Sequence, residues 1–284
     1  MSAPGYNVRR FGSAQEMLAA VEEFLLRKEA SNNLMLSILE NLLHSNAGFD
    51  DPILMAAVYA GNTAEPVGCM LRTPPHKLLL STMPEAALPA VMDMVSNVYD
   101  SIPAILARDP LALHAAEAWC ARKNGVVRAG MRQRLYRLDR VVPPAKPAPG
   151  ELRVATRDDV PLVQEWSVAF NTEVGVHGYA RASIEERVLR GSFFLWWDDV
   201  PVSMCAWAGR TRHGVRIGYV YTPAEYRGAG YASSSVAEAT ARALGDGSDF
   251  AFLYTDLDNA TSNAIYSQIG YEPVEDWIDA LIIT

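Results

Sequence analysis

Residues 227–232 place an arginine and two glycines directly before a helical pattern. They read Arg-Gly-Ala-Gly-Tyr-Ala and follow the apolar strand pattern of residues 217–222. A strand, a glycine loop and a helix together form a phosphate-binding geometry, because glycine lets the backbone approach closely and the first amides of a helix are free to donate. Arg227 adds a fixed positive charge. The sequence therefore predicts a diphosphate site at this loop.

Two common nucleotide-binding motifs do not fit the loop. A Walker loop needs Lys followed by Ser or Thr, which is absent here, and a G-x-G-x-x-G dinucleotide motif needs a third glycine where Ser233 stands. A second polar motif lies further along the chain, in a helical pattern that runs from Asn259 to Gly270 and carries Tyr266. The G-x-G loop alone would be weak evidence, and the second motif strengthens it.

At these two motifs the sequence resembles the GCN5-related N-acetyltransferase (GNAT) superfamily. Residues 227–232 fit its pattern Q/R-x-x-G-x-G/A, and residues 259–271 resemble its second motif, most closely that of the FR47-type branch. The resemblance covers the C-terminal half by motif and the N-terminal half only by its order of elements. It implies an N-acetyltransferase that moves an acetyl group from acetyl-CoA, its cosubstrate, to a primary amine by direct attack in a ternary complex.

The resemblance also implies roles for individual residues. The strand before the loop would splay from its neighbour and bond the pantetheine arm, and the loop amides would hold the pyrophosphate. Asn259 would bond pantetheine, and Tyr266 would protonate the leaving thiolate, which a phenol can do for a thiolate that it hydrogen-bonds. The expected coenzyme-binding residues are Tyr219, Val220, Tyr221, Thr222, Arg227, Gly228, Ala229, Gly230, Tyr231, Ala232, Ser233 and Asn259.

The catalytic residues have other interpretations. Tyr266 could be a core aromatic residue, because apolar residues lie on adjacent faces of its helix. Glu173 is the candidate base that accepts the amine proton, although a solvated loop carboxylate is at least as good an interpretation. His177, in the same segment, is a weaker candidate. Cys205 lies near the site, but no activated Cys or Ser nucleophile is recognisable, so no covalent intermediate is expected.

Composition narrows the possible partners. A net charge of −8 argues against nucleic acid, and the sequence has neither an apolar run of membrane-spanning length nor a secretory signal. The three cysteines are widely spaced and the histidines lack metal-ligand spacing, so we expect reduced thiols, a cytoplasmic protein and no metal. The expected acceptor is a small-molecule or peptide amine, and a homodimer is possible. A non-catalytic acyl-CoA-binding sensor or interaction module is the alternative function.

The proline-rich segment 141–150 divides the chain into two halves with the same order of elements. We predict domains at residues 1–140 and 151–284, joined by a linker at 141–150. Each domain is expected to be an α/β (α+β) mixed sheet flanked by helices, a tandem of GNAT-like domains.

The first half lacks both motifs. Leu88 and Pro89 stand where Arg227 and Gly228 would be, and Ala121 stands in place of Tyr266. We therefore expect no coenzyme site in the first domain. A degenerate domain of this kind could cover the acceptor side, narrow the choice of substrate or form a dimer surface.

Overall fold

The computed structural model describes residues 5–44, 52–175 and 181–283. The chain forms two compact units, the first comprising Met1–Leu135, Asp256–Asp258 and Val274–Thr284, and the second Tyr136–Thr255 and Asn259–Pro273.

Both units contain strands and helices in the same order. The first half of the chain contains β1 (Tyr6–Arg10), α1 (Ala14–Leu26), α2 (Asn33–His44), β2 (Leu54–Ala60), β3 (Pro66–Arg72), β4 (Leu78–Leu80), α3 (Leu88–Ser96), β5 (Ala104–Arg108), α4 (Leu111–Lys123) and β6 (Val126–Leu138). The second half contains β7 (Glu151–Val154), α5 (Val160–Glu173), α6 (Arg181–Leu189), β8 (Phe193–Asp198), β9 (Val200–Arg210), β10 (Gly214–Tyr221), α7 (Tyr231–Gly245), β11 (Phe250–Asp256), α8 (Ala260–Gln268) and β12 (Glu272–Ile283).

Each unit has a mixed sheet, as the sequence predicts. The strand order is β1-β2-β3-β4-β5-β12-β6 in the first unit and β11-β10-β9-β8-β7 in the second. In each sheet one parallel pair, β4–β5 or β10–β11, follows a run of antiparallel neighbours. The repeat of elements is therefore a repeat of topology. The first half also begins with a strand, β1, which the sequence pattern did not predict.

The last strand crosses the predicted domain bounds. Residues Trp277 to Leu281 of β12 pair antiparallel with Arg108 to Ala104 of β5, and Ile278 and Ala280 are buried in the core of the first unit. The contacts thus assign the end of the sequence to the first unit, whereas residues 141–150 belong to the second. That residues 1–140 and 151–284 are separate domains stays a prediction.

The helix after the fourth strand differs between the units. In the first unit a 3₁₀ turn, Glu85–Ala87, runs directly into α3 at Leu88, and a proline lies in the first turn of that helix. In the second unit the corresponding turn, Ala224–Tyr226, is followed by residues 227–230 before α7 begins. The glycine loop is an insertion that the first unit lacks.

The second sheet is covered on both faces. Alternate side chains of β8 and β9 point to opposite sides of the sheet, because successive residues of a strand do so. Phe193 and Met204 pack with α5 and α6, while Phe194 and Cys205 pack against α7. Strand β10 therefore lies between two helical layers, and its end leads to the glycine loop.

Candidate functional site

Strand β10 leaves its neighbour β11 partway along its length. The two strands pair in parallel at Gly214, Val215 and Arg216, and the pairing with β9 on the other side shifts register between Gly218 and Tyr221. Tyr219 has a φ of +52°, a conformation that costs free energy in a non-glycine residue and is found at functional sites. The predicted pantetheine residues Tyr219 to Thr222 therefore lie beyond the part of β10 that pairs with β11 and next to the irregularity in its pairing with β9.

The glycine loop ends in an uncapped helix. Gly228 and Gly230 both have a φ of +84°, and Gly230 is the N-cap of α7. The amide of Ser234 bonds the carbonyl of Gly230 at 3.0 Å, whereas the amides of the preceding turn have no intrahelical partner. Since glycine has no side chain to cap them, these amides and the positive end of the helix dipole can receive an anion.

The guanidinium group of Arg227 donates two hydrogen bonds. Its Nε donates to the carbonyl of Thr222 at 2.8 Å, and its Nη2 donates to Oε1 of Glu173 at 2.7 Å. Glu173 is the last residue of α5, so the structure brings the predicted base into contact with the predicted pyrophosphate loop. Both side chains are about half exposed, and an ion pair of this kind contributes little free energy, so a ligand can displace it.

Tyr266 is buried in the core of the second unit. Its side chain is 7% exposed, and its ring lies 6.4 Å from that of Tyr136 and 6.1 Å from that of Tyr271. Burial raises the pKa of the Tyr266 phenol well above its usual value, Cys205 adds to the effect, and a hydrogen bond with Ser262 opposes it. The phenol is therefore protonated at neutral pH, as both a proton donor and a core residue would be.

Asn259 determines where α8 begins. Its Oδ1 accepts a hydrogen bond from the amide of Ser262 at 3.0 Å, as an N-cap does. Asn263 donates to the carbonyl of Asn259 at 2.9 Å and accepts from the hydroxyl of Tyr136 at 3.0 Å. Asn259 thus determines the start of the helix that carries Tyr266.

Cys205 is not an activated nucleophile. It is fully buried on β9, and its Sγ lies 3.6 Å from the carbonyl of Ser235. Burial raises the pKa of the thiol to about 12, against a weaker opposing effect of Arg242. The reactive form of cysteine is the thiolate, which is scarce at such a pKa.

Sequence reasoning missed the contact between segment 141–150 and the loop. The amide of Ala148 donates to Oγ of Ser234 at 2.9 Å, and Nε1 of Trp196 donates to the carbonyl of Pro149 at 2.7 Å. A Cβ placed on Gly230 would lie 3.7 Å from the carbonyl oxygen of Lys146. No local pattern in the sequence signals this packing.

Three further features concern His177, metal ligands and membrane-spanning helices. His177 lies outside the described residues. Within the described part of the chain, no group of three or more His, Cys, Asp or Glu could hold a metal ion. Over the same residues, no helix has both the length and the apolar character needed to cross a membrane.

The comparisons with known proteins agree with this geometry. Residues 197–278, which contain β10, the glycine loop and α8, match the family "FR47-like protein". An acetyltransferase of the GNAT family from Colwellia psychrerythraea superposes with a TM-score of 0.57 at 13% identity, covering 98% of this chain and 100% of that one. The chain has the GNAT fold, and its residues 197–278 match the FR47-like family.

Further solved structures share the GNAT fold. A GCN5-related N-acetyltransferase from Kribbella flavida has a TM-score of 0.59 at 15% identity, covering 88% of this chain and 95% of its own. A tandem GNAT protein from the clavulanic acid biosynthesis pathway has a TM-score of 0.56 at 14% identity, with coverage of 97% and 98%. No curated protein matches the sequence. The tandem arrangement is thus a known form of the GNAT fold.

Proposed function

We propose that this protein is an N-acetyltransferase that moves an acetyl group from acetyl-CoA to a primary amine. The observation that carries the proposal is that β10 stops pairing with β11 after Arg216 and continues towards the uncapped start of α7. Pantetheine is a narrow chain with amide groups, which can form hydrogen bonds with the backbone of β10 where that strand no longer pairs with β11. The diphosphate is suited to the helix start.

The coenzyme would lie along these elements. Residues Tyr219 to Thr222 would bond the pantetheine arm, with Asn259 donating from the start of α8. The amides from Ala229 to Ser233 would hold the diphosphate, which Gly228 and Gly230 allow to approach the backbone closely. Arg227 would add positive charge at the edge of the loop.

The chemistry is a direct transfer. The amine nitrogen attacks the thioester carbonyl carbon, the C–S bond breaks, and the leaving thiolate takes the proton of the Tyr266 hydroxyl. The amine loses a proton to Glu173 or to water, and the Tyr266 phenolate takes up a proton before the next turnover. The buried thiol of Cys205, with its raised pKa, supports a mechanism without an acyl-cysteine intermediate. The acceptor would be a small-molecule or peptide amine, and the three buried free cysteines fit a reducing, cytoplasmic setting.

Two measurements test the proposal. Thermal unfolding with CoA, ATP and NAD should show a shift with CoA alone, because only CoA has both a diphosphate and a pantetheine arm. Release of free thiol from acetyl-CoA, measured with a panel of amines, should then identify the acceptor. Binding of CoA with no turnover for any amine would instead favour a non-catalytic acyl-CoA-binding sensor.

A further inference from the structure

The proline-rich segment 141–150 is bound to the second unit at three places. The amide of Val142 donates to the carbonyl of Ile269, directly after α8, at 2.9 Å. The amide of Ala148 and the carbonyl of Pro149 make the bonds to Ser234 of α7 and Trp196 of β8 described above. The segment thus runs from the end of α8 to the first turn of α7, and it lies beside the helix start proposed to bind the coenzyme.

Lys146 lies where this segment passes the glycine loop. Its carbonyl oxygen is 3.7 Å from the position that a Cβ would take on Gly230, and its side chain is exposed. Pro147 follows it, and a proline holds the preceding residue in an extended conformation. Prolines at 143 and 144 stiffen the approach. The backbone therefore presents Lys146 beside the loop, and its exposed side chain is accessible to a ligand.

The loop carries little net positive charge, so a second cation there could also bind a phosphate. Arg227 is already paired with Glu173, and Asp198 accepts a hydrogen bond from the hydroxyl of Tyr231 at 2.6 Å. Residues 227–232 thus carry one positive charge, that of Arg227, next to the carboxylates of Glu173 and Asp198. Lys146 is the only charged residue in segment 141–150, and an ammonium on a flexible stem is a good partner for a phosphate of variable position.

We propose that Lys146 binds a phosphate of the nucleotide end of the coenzyme, so that segment 141–150 forms one side of the coenzyme site. This inference rests on the proposed function, since it assigns a further residue to the same ligand. It gives the segment a binding role in addition to joining the two halves.

The experiment measures Kd by calorimetry for CoA, dephospho-CoA and pantetheine. Lys146→Ala should weaken CoA binding by about fivefold, the upper range for an exposed ion pair. Lys146→Glu should weaken it further, and Lys146→Arg should keep most of the affinity. Pantetheine, which has no phosphate, should bind all variants equally. If Lys146→Ala also weakens the binding of dephospho-CoA, the partner of Lys146 is the diphosphate. If it weakens only the binding of CoA, the partner is the 3′-phosphate.

Arg190→Ala is the matched control, because it removes one positive charge from the second unit at a residue whose partner is Glu186. It should leave CoA affinity unchanged. If wild-type protein binds CoA and both Lys146→Ala and Lys146→Glu bind it equally well, or if pantetheine is weakened as much as CoA, the assignment of Lys146 is wrong and the proposed function stands. If wild-type protein binds no CoA, both fail.

Discussion

Replacing Tyr266 by phenylalanine separates its two possible roles, because it removes only the hydroxyl group. The ring would keep its contacts with Tyr136 and Tyr271. What is lost in the fold is the hydrogen bond with Ser262, and one such bond contributes on the order of 1 kcal/mol. The variant should therefore fold, with a small decrease in its free energy of unfolding.

The expected effect on catalysis is much larger. Proton transfer by a positioned acid contributes about 10²- to 10⁴-fold to the rate, so kcat for Tyr266→Phe should fall by at least about a hundredfold, or about 3 kcal/mol in activation free energy. The Kd for CoA should change little. Because burial raises the pKa of Tyr266, the wild-type phenol keeps its proton, and its ionisation should not lower kcat between about pH 7 and 9.

Tyr271 provides the matched control. It is also a buried phenol with a raised pKa, and its hydroxyl bonds that of Thr240 at 2.8 Å. Tyr271→Phe should cost similar stability and leave kcat close to that of the wild type. Thiol release would be followed for both variants with the best amine of the panel, and unfolding by denaturant titration. If Tyr266→Phe turns over as fast as Tyr271→Phe, the phenol is a packing residue and the proposed acid must be sought elsewhere.

Three further predictions concern charge, backbone and pH. Glu173→Gln should lower kcat about a hundredfold if the carboxylate accepts the amine proton, and an unchanged kcat in the thiol-release assay would leave it as a partner of the loop arginine. Gly230→Ala should cost about 1–2 kcal/mol of unfolding free energy in denaturant titrations and weaken CoA, because its φ is +84°; Gly245→Ala, in open space at the end of the same helix, should do neither. The hydrogen bonds from Arg153 lower the pKa of Asp159 to about 2, so this pair stabilises the fold above about pH 4 and the contribution is lost as pH falls through 2. Asp159→Asn should remove about 2 kcal/mol at pH 5 and little at pH 2, and equal losses at both would contradict the assignment.

The backbone features that the sequence predicted around the candidate site are those determined by local geometry. Gly228 and Gly230 take the positive φ values that only glycine adopts easily. Asn259 caps the helix on which the sequence placed it, and Tyr266 lies about two turns further along that helix. Each of these features depends on residues that are close together in the sequence, so the sequence pattern was enough to locate the elements.

The parts that were missed depend on residues far apart in the sequence. Glu173 meets Arg227 because α5 ends beside the loop, and nothing near either residue indicates that contact. Ala148 lies in the segment predicted to be a linker, yet its amide donates to Oγ of Ser234. Pairings of this kind follow from topology, and in a single sequence no periodicity reports them.

The placement of β12 has a consequence for the order in which the molecule can be completed. The first sheet lacks the strand between β5 and β6 until residues 274–284 have been synthesised, since that strand comes from the end of the sequence. Until then the edge of β5 is unpaired and the core around Trp119 lacks Ile278 and Ala280. A fragment that stops at residue 140 would carry the same defect permanently. When the first half is expressed alone, residues 274–284, which contain most of β12, should therefore be supplied with it.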